Sequence, residues 1–425
     1  QNGSSLVAAL GSLSSRAMVS TYVVLVAAIG AVQGAKLLTS PYKEILLCCV
    51  CLGALFGGSI MQQSQRAPAA GPPAPKGWRR YAAAETESSE EQGPEVLAYG
   101  EELSDDSKAA VAVAIIPGNP GVPHFYCPFG EALHGQLAAE GLGPAAIYCV
   151  GYPCFRTDVA VKSEGTGVSL DEQAEAISGV LDELARRHKG RLVVFGHSIG
   201  AWIAAQACLR ESSRARDGGA RDPKDEPRVA MVVLAMPFLE FSGSFKQRAL
   251  ACVTCLPLFN QIAELAAFAI LALPSSVHAL VASLMVGGGG AAEVHKQVVH
   301  STVLSQAHHI ASVLRLLKSE LARLNPAVTP NAGFEELRPL LEARERPSVL
   351  GLYTRGDGWG PQAHAPRLRS LLRDDGFDEV IDLGSELDGV LVDGIPPPHG
   401  FVLEDAYVAP VAELLAKRIS KRMHG

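Results

Sequence analysis

The feature that most limits the fold is a serine between two glycines, placed where a strand-like segment meets a helix-like one. The segment Gly196–Gly200 reads GHSIG, follows an apolar run that ends at Phe195 and precedes a run rich in alanine. In this setting G-x-S-x-G predicts a sharp turn that exposes the serine hydroxyl and strains its backbone. We therefore interpret Ser198 as a nucleophile. The alternative is a serine that only caps the following helix.

Strand-like and helix-like segments alternate along most of the chain. Apolar runs predict buried strands at Ala110–Ile116, Ala145–Val150, Arg191–Phe195, Val229–Met236, Ser348–Tyr353 and Glu379–Leu383. Helical patterns lie at Phe125–Glu140, Leu170–His188, Ile199–Leu209, Ala363–Arg373 and Ala409–Ile419. This order predicts the α/β class, with a mostly parallel central sheet flanked by helices. Together with the turn at Ser198 it predicts the α/β-hydrolase fold.

A serine nucleophile needs a base, and the base needs an acid that orients it. In this fold the three residues follow in the order Ser, acid, His, and the acid comes just after the strand beyond the long insertion. Asp357 lies in that position, shortly after the strand predicted at Ser348–Tyr353. We predict that it is the acid. Its rivals are the later carboxylates, Asp382, Asp388 and Asp393.

The base must be a histidine that follows the last strand. Three histidines lie downstream of Asp357, namely His364, His399 and His424. His364 is too close to the acid and begins a helix, whereas His424 lies in the C-terminal tail. His399 follows three prolines in a loop before the last helix. Because a proline-rich loop restrains the backbone, we predict that His399 is the base.

Two backbone N–H groups are expected to stabilise the oxyanion of the reaction. One belongs to Ile199, at the start of the helix after the serine. The other is expected in the loop Pro117–Gly121, which follows the first predicted strand of the core. Pro120 has no N–H, so we predict Asn119 as the second donor and Gly121 as the fallback. The alternative is an ordinary turn made of Gly and Pro.

Four blocks of the sequence resemble the lipid droplet-associated hydrolase family. They are the IIPGNPG string at Ile115–Gly121 with the aromatic residues after it, the GHSIG turn, DGW around Asp357 and HGF around His399. The resemblance extends from about Glu95 to Ile419. It implies that Ser198, Asp357 and His399 are the catalytic residues. It also implies residence on lipid droplets and the endoplasmic reticulum membrane, and activity on sterol esters or other neutral lipids.

A large insertion, Phe238–Arg346, separates the fourth predicted strand of the core from the fifth. Its part from Ala249 to Met285 contains one charged residue, Glu264, and is interrupted by prolines. Four glycines at Gly287–Gly290 follow and could act as a hinge. Apolar pieces of this length are too short to span a bilayer. We expect either a helical lid packed over the site or a segment that enters a lipid surface.

The N-terminal quarter of the chain differs in composition from the rest. Two apolar stretches, Met18–Ala35 and Ile45–Met61, predict a membrane-associated or targeting segment over residues 1–61. Gln62–Pro94 is first rich in Pro and Ala and then acidic, which predicts a disordered linker. The catalytic domain is expected to start near Glu95 and to continue to residue 425.

Charge and cysteine usage exclude several classes of partner. The net charge is −7 and Lys and Arg are scattered, so nucleic acid is not an expected partner. Cys252 and Cys255 form a single CxxC with neither a second pair nor histidines at zinc spacing. No metal and no organic cofactor are expected. The thiols are expected to be reduced, with the catalytic domain facing the cytosol.

These observations predict a serine hydrolase that cleaves a hydrophobic acyl ester through an acyl-enzyme intermediate. The expected partners are a lipid substrate and a membrane or lipid droplet surface, and no protein partner is indicated. Two alternatives stay open. One is a droplet-surface scaffold that has kept the fold with little activity. The other is an acyltransferase or thioesterase, because the same three residues would serve either reaction.

Overall fold

The computed structural model describes residues 73–81, 93–100, 109–157, 169–217, 229–256, 259–271, 276, 278–279, 282, 292–304, 306–342, 346–373, 378–391 and 394–424. Of residues 210–217 and 292–294 it describes the backbone only. The two apolar stretches predicted within residues 1–61, the glycines at Gly287–Gly290 and the rival acid Asp393 lie outside the described residues.

A central eight-stranded sheet organises the described residues. Its strands are β1 (Arg79–Tyr81), β2 (Val96–Gly100), β3 (Val111–Ile116), β4 (Ala145–Val150), β5 (Leu192–His197), β6 (Val229–Ala235), β7 (Ser348–Tyr353) and β8 (Glu379–Asp382). They lie in the order β1-β2-β4-β3-β5-β6-β7-β8. β2 pairs antiparallel with both β1 and β4, and every other pair is parallel. The predicted mostly parallel sheet is therefore confirmed.

Strands β3, β4 and β5 are buried along their whole length. A strand covered on both faces needs apolar residues at every position, which explains the continuous apolar runs in the sequence. At the C-terminal ends of the strands, His197 of β5 pairs with Ala235 of β6, and Ala235 pairs with Leu352 of β7. The carboxyl ends of these three strands therefore meet at one edge of the sheet.

Eleven α-helices are described around and beyond the sheet. They are α1 (Cys127–Ala139), α2 (Leu170–His188), α3 (Ile199–Asp217), α4 (Phe245–Thr254), α5 (Phe259–Leu271), α6 (Ala292–Val298), α7 (Ala307–Arg323), α8 (Phe334–Glu342), α9 (Ala365–Leu371), α10 (Leu383–Glu386) and α11 (Asp405–His424). α2 begins with a capping box, in which the Ser169 side chain accepts from the Glu172 N–H and the Glu172 carboxylate accepts from the Ser169 N–H. That reciprocal pair explains why the start of α2 could be predicted.

Two predicted boundaries differ from the structure. Within the predicted linker, β1 pairs with β2, and Trp78 is buried with its indole N–H donating to Glu131 at 2.7 Å. The folded region therefore begins earlier than Glu95. The helix predicted at Ile199–Leu209 also ends later than predicted, because α3 continues to Asp217. Arg, Glu and Ala have high helix propensity, so a charge-dense segment can extend a helix.

The insertion between β6 and β7 contributes α4 to α8. α7 packs against α5, and its Arg315 pairs with Glu264 of that helix. Several large apolar side chains around α4 and α5 are exposed, namely Phe245, Leu256, Ile262, Leu265 and Phe268. Among the described helices, none is by itself long and apolar enough to cross a bilayer. The pair α4 and α5, bent by 99°, meets the length and composition criteria only when taken together.

Candidate active site

Ser198 occupies a strained turn between β5 and α3. Its backbone φ is 56°, in the left-handed region that is costly for a residue with a side chain. The Ser198 N–H donates to the carbonyl of Ala235 at 2.9 Å, which fixes the turn against the end of β6. A methyl group on Gly200 would lie 2.2 Å from the Pro117 oxygen, so no larger residue fits there without displacing backbone. The turn thus has the geometry that the sequence predicted.

Ser198, His399 and Asp357 form one continuous hydrogen-bonded chain. The Ser198 hydroxyl lies 2.8 Å from Nε2 of His399, and Nδ1 of His399 lies 2.7 Å from Oδ2 of Asp357. The Asp357 carboxylate accepts from Nδ1–H, so that tautomer leaves Nε2 free to accept from the serine. The fold therefore brings together the three residues that the chain order singled out, although they lie far apart in the sequence.

The loop after β7 holds the Asp357 carboxylate as a buried anion. Burial by itself would raise the pKa of Asp357, but the hydrogen bond and charge interaction with His399 and the N–H groups of Trp359 and Gly360 lower it below the usual value. The Trp359 N–H donates to Oδ1 at 2.7 Å. Thr354 also donates to the Pro397 carbonyl at 2.8 Å, which joins this loop to the loop of His399.

The described rivals of Asp357 have other surroundings. Asp382 accepts from Gln362 and from the Gly384 N–H, and it pairs with Arg355. Asp388 is exposed.

The rivals of His399 are also placed elsewhere. The His364 ring packs against Phe334. His424, near the end of α11, hydrogen-bonds Ser420 one turn earlier. Neither of these histidines is hydrogen-bonded to Ser198.

The loop Pro117–Gly121 lies directly against the nucleophile. A methyl group on Gly118 would sit 3.0 Å from Cβ of Ser198. The Gly118 N–H is already used, because it donates to the Tyr126 hydroxyl at 2.8 Å. Gly121 packs so closely on Tyr152 that a methyl group there would lie 2.1 Å from the ring. The described contacts leave two backbone N–H groups available near Ser198. One belongs to Asn119, next to Gly118 in the loop, and the other to Ile199, at the start of α3.

The Asn119 side chain faces the insertion. Its Nδ2 donates to the Val313 carbonyl of α7 at 3.1 Å. Asn119 also hydrogen-bonds the buried carboxyl of Glu320, and burial raises the pKa of Glu320 to about 8. Glu320 therefore carries its proton at neutral pH. The insertion contacts the loop beside the nucleophile through these two positions on α7.

Two residues to which the sequence assigned no role complete the surroundings of the site. The Tyr126 hydroxyl lies 2.6 Å from Nδ1 of His197, and Nε2 of His197 lies 2.7 Å from the backbone oxygen of His399. Both Tyr126 and His197 are buried. The sequence offered a weak signal, a histidine immediately before the nucleophile, but nothing that indicated its partners.

The arrangement can activate a hydroxyl for attack on a carbonyl carbon. Ser198 can pass its proton to His399, whose positive charge Asp357 then stabilises. Part of the His399 side chain is open to solvent, whereas the Asp357 carboxylate is fully buried. Within the residues that the structure describes, no group of three or more His, Cys, Asp or Glu side chains has the arrangement of a metal site.

Comparison with known families gives one match over most of the chain. A family model described as lipid-droplet associated hydrolase matches residues 109–402 of the 425. The matched range includes the strained turn, the loop Pro117–Gly121 and the loops of Asp357 and His399. A search of the curated proteins gives no significant match.

Several solved structures are similar to this chain. The haloalkane dehalogenase DatA from Agrobacterium tumefaciens C58 is similar with a TM-score of 0.50 at 13% identity, over 81% of this chain and 97% of its own. An esterase from Exiguobacterium antarcticum has a TM-score of 0.45 at 13% identity, over 77% and 96%. A monoacylglycerol lipase from Paleococcus ferrophilus has a TM-score of 0.42 at 13% identity, over 77% and 99%. At 13% identity the likeness to DatA shows the fold alone. Together with the eight-stranded, mostly parallel sheet flanked by helices, it confirms the predicted α/β-hydrolase fold.

Proposed function

The chain belongs to the lipid-droplet associated hydrolase family, and from that premise we propose that it cleaves hydrophobic carboxylic esters with Ser198 as nucleophile. His399 is the general base and Asp357 the acid that orients it. The substrate class is neutral lipids, including sterol esters. No metal and no organic cofactor take part in the proposed reaction.

The observation that carries this proposal is the hydrogen-bonded chain through His399. Because Nε2 is 2.8 Å from the Ser198 oxygen, it can take the hydroxyl proton as that oxygen attacks the ester carbonyl. The proton then passes to the departing alcohol, which leaves an acyl group on Ser198. Water attacks this acyl-enzyme, His399 again takes the proton, and the fatty acid and the free serine are released.

The negative charge on the carbonyl oxygen needs donors that are in place before the reaction. We assign this role to the backbone N–H groups of Ile199 and Asn119. The first lies at the start of α3, where helix N–H groups have no partner within the helix. The second follows Gly118, which is in contact with Ser198. Fixed donors of this kind typically supply about 10²–10³ in turnover each.

The exposed apolar side chains of the insertion support a lipid as substrate and as partner surface. Phe245, Leu256, Ile262, Leu265 and Phe268 all lie in or beside α4 and α5. An exposed apolar patch of this kind is typical of a membrane or lipid interaction site. α5 packs on α7, whose Val313 contacts the loop next to the nucleophile. The helices that would meet a lipid surface therefore pack on the helix beside the site.

The family description associates the chain with lipid droplets. We propose that the protein acts at the droplet surface and at the endoplasmic reticulum membrane, with its catalytic domain in the cytosol. Lipid esters are sparingly soluble in water, so an enzyme that acts on them has to work at such an interface. In this arrangement the insertion is a lid whose outer side faces lipid.

Labelling with a fluorophosphonate tests the assignment of the nucleophile. This reagent reacts with a serine only where a neighbouring base activates it, so the wild-type chain should be labelled and Ser198→Ala should not. Ser178→Ala is the matched control, because it removes a buried serine hydroxyl from α2, outside the site. Equal labelling of wild type and Ser198→Ala would show that the nucleophile is another residue.

Turnover of a lipid ester separates the proposed enzyme from a scaffold with the same fold. Release of fatty acid from emulsified cholesteryl oleate or triolein should depend on Ser198 and should be lost with the label. A chain that is labelled but releases fatty acid from neither emulsion would contradict the proposed substrate class.

A further inference from the structure

Three loops of the proposed site are joined through the ring of His197. The Gly118 N–H donates to the Tyr126 hydroxyl at 2.8 Å, and this hydroxyl lies 2.6 Å from Nδ1 of His197. On the other side of the ring, Nε2 lies 2.7 Å from the backbone oxygen of His399. One series of hydrogen bonds therefore connects the loop Pro117–Gly121, the strained turn at Ser198 and the loop of His399.

The direction of each bond in this chain is determined by its ends. A carbonyl oxygen only accepts, so Nε2 of His197 carries the proton and donates to His399. Nδ1 then accepts, and the Tyr126 hydroxyl donates to it while accepting from Gly118. Burial lowers the pKa of His197 to about 3, with repulsion from His399 as a further cause, so the ring stays neutral and keeps this tautomer.

We propose that Tyr126 and His197 are positioning residues for the ester hydrolysis proposed above, on which this inference rests. They hold the backbone of His399 and of the loop Pro117–Gly121 at fixed positions relative to Ser198. His197 anchors the base because it binds the carbonyl of His399 itself. Tyr126 anchors the donor loop because it binds the N–H of Gly118. The hydrogen bonds of the Ser198 hydroxyl and of the two His399 ring nitrogens described above involve neither residue.

The packing around His197 shows how little freedom this connection has. Its ring packs against His399 with centroids 5.1 Å apart and edge-on against Phe401 at 5.6 Å. Gly118 approaches so closely that a methyl group on it would lie 3.3 Å from Nδ1 of His197. A shift of about 1 Å in a catalytic group can lower the reaction rate about 10²-fold. Loss of this connection should therefore lower the rate measurably.

The chain contains a second buried tyrosine–histidine pair that serves as a control. The Tyr148 hydroxyl lies 2.8 Å from Nε2 of His188, and both side chains are buried. Tyr148 is in β4 and His188 ends α2, so this pair is not connected to Ser198 through the chain of hydrogen bonds described above. Removing the Tyr148 hydroxyl leaves a similar buried gap without changing the hydrogen bonds that connect Gly118, Tyr126, His197 and His399.

The rate of fluorophosphonate labelling in the full-length chain tests the role of Tyr126. Tyr126→Phe should lower the rate constant about 10- to 100-fold while the fraction of protein labelled at the end of the reaction stays at the wild-type level. Tyr148→Phe should leave the rate constant unchanged. A purely structural role for Tyr126 would instead lower the final fraction at an unchanged rate constant, and that result would overturn the proposal.

A pair of His197 variants tests the bond to His399. His197→Gln keeps a donor near the position of Nε2 and should retain most of the rate, whereas His197→Leu keeps the bulk without a donor and should show the full loss. With an ester substrate the loss should fall on kcat and leave KM unchanged. Equal rate constants in the two variants, at equal labelled fractions, would overturn the proposed role of His197.

These outcomes are distinguishable from a failure of the proposed function. If the wild-type chain is not labelled at Ser198, the ester hydrolysis and the positioning roles that depend on it are both wrong. If the wild type is labelled and all four variants match its rate constant, the hydrolysis proposal stands and the positioning proposal is wrong.

Discussion

The hydrogen bond between His399 and Asp357 joins a partly open ring to a fully enclosed carboxylate. The His399 side chain is 23% exposed and that of Asp357 is 0% exposed, and the atoms they share lie 2.7 Å apart. A carboxylate shielded from water interacts more strongly with a neighbouring cation than one in solvent does. The pair therefore places a strong orienting group behind His399 while leaving its other nitrogen towards Ser198.

Asp357→Asn should reduce turnover by about 10⁴ while leaving the fold unchanged, because an amide keeps the shape and favours the wrong tautomer of His399. Hydrolysis of a soluble p-nitrophenyl ester measures the effect. Asp388→Asn is the matched control, since Asp388 is an exposed carboxylate that the sequence also offered as a candidate for the acid. A comparable loss of turnover in Asp388→Asn alone would contradict our assignment of the acid.

Two glycine substitutions should act in opposite directions. Gly200→Ala would bring a methyl group to 2.2 Å from the Pro117 oxygen, so it should abolish fluorophosphonate labelling and lower the melting temperature. Gly179, inside α2, has no atom within 4 Å of the position where a methyl group would be added. Gly179→Ala should raise the free energy of unfolding by about 0.5–1 kcal/mol. Thermal unfolding of the two variants measures both effects, and similar melting temperatures would contradict the packing described for the turn.

The parts of the fold that could be predicted from the sequence are those where burial is complete. β4 and β7 have the bounds that their apolar runs predicted, because every position is covered. β1 could not be predicted, since it has three residues, two of them exposed arginines, and gains its order from pairing with β2. The continuation of α3 beyond Leu209 to Asp217 was missed because residues 210–217 are nearly all polar and show no apolar periodicity.

The same difference applies to the site. Ser198, Asp357 and His399 could be selected from the order in which the sequence presents a nucleophile, an acid and a base. The chain through Tyr126 and His197 could not be predicted. One of its bonds joins two residues that are 71 positions apart in the sequence, and another joins two that are 202 positions apart. Both bonds depend on the orientation of two buried rings. A sequence pattern records neither of these properties.

The buried carboxyl of Glu320 should make the stability of the protein fall as pH rises. Burial raises its pKa to about 8, although the hydrogen bond from Asn119 acts in the opposite direction. In the unfolded chain the carboxyl titrates near its usual value of about 4.3, so the folded state binds the proton more tightly. The stabilisation is fully present below about pH 4 and decreases by up to about 1.4 kcal/mol per pH unit until pH exceeds 8.

Glu320→Gln removes this titration and keeps the shape of the side chain. The variant should be more stable than wild type at pH 9, by a few kcal/mol at the order-of-magnitude level, with a much smaller difference at pH 4.5. Chemical unfolding at several pH values measures the change. Tyr152 and Cys154 are the other titratable groups that interact with Glu320, and both of their pKa values are raised, so they stay neutral over this range. Parallel curves for variant and wild type would contradict the assignment.

The outer side of α5 should hold the catalytic domain on lipid independently of the N-terminal stretches. Ile262, Leu265 and Phe268 follow one another at three-residue spacing and are 41%, 42% and 38% exposed, so they lie on one face of the helix. A large apolar side chain that passes fully from water into lipid contributes about 1.5–3 kcal/mol. Residues 73–425 should therefore float with phospholipid-coated triolein droplets in a density gradient, and Leu265→Glu with Phe268→Glu should move the protein to the aqueous fractions.

The control for this experiment adds the same charge to the same helix. Asn260→Asp with Gln261→Glu changes two exposed polar positions of α5 and should leave flotation unchanged. Both double variants should still be labelled by fluorophosphonate, because Ser198, Asp357 and His399 lie outside α5. If Leu265→Glu with Phe268→Glu floats as well as this control does, α5 is a packed lid that does not enter lipid. Droplet binding would then depend on another part of the chain.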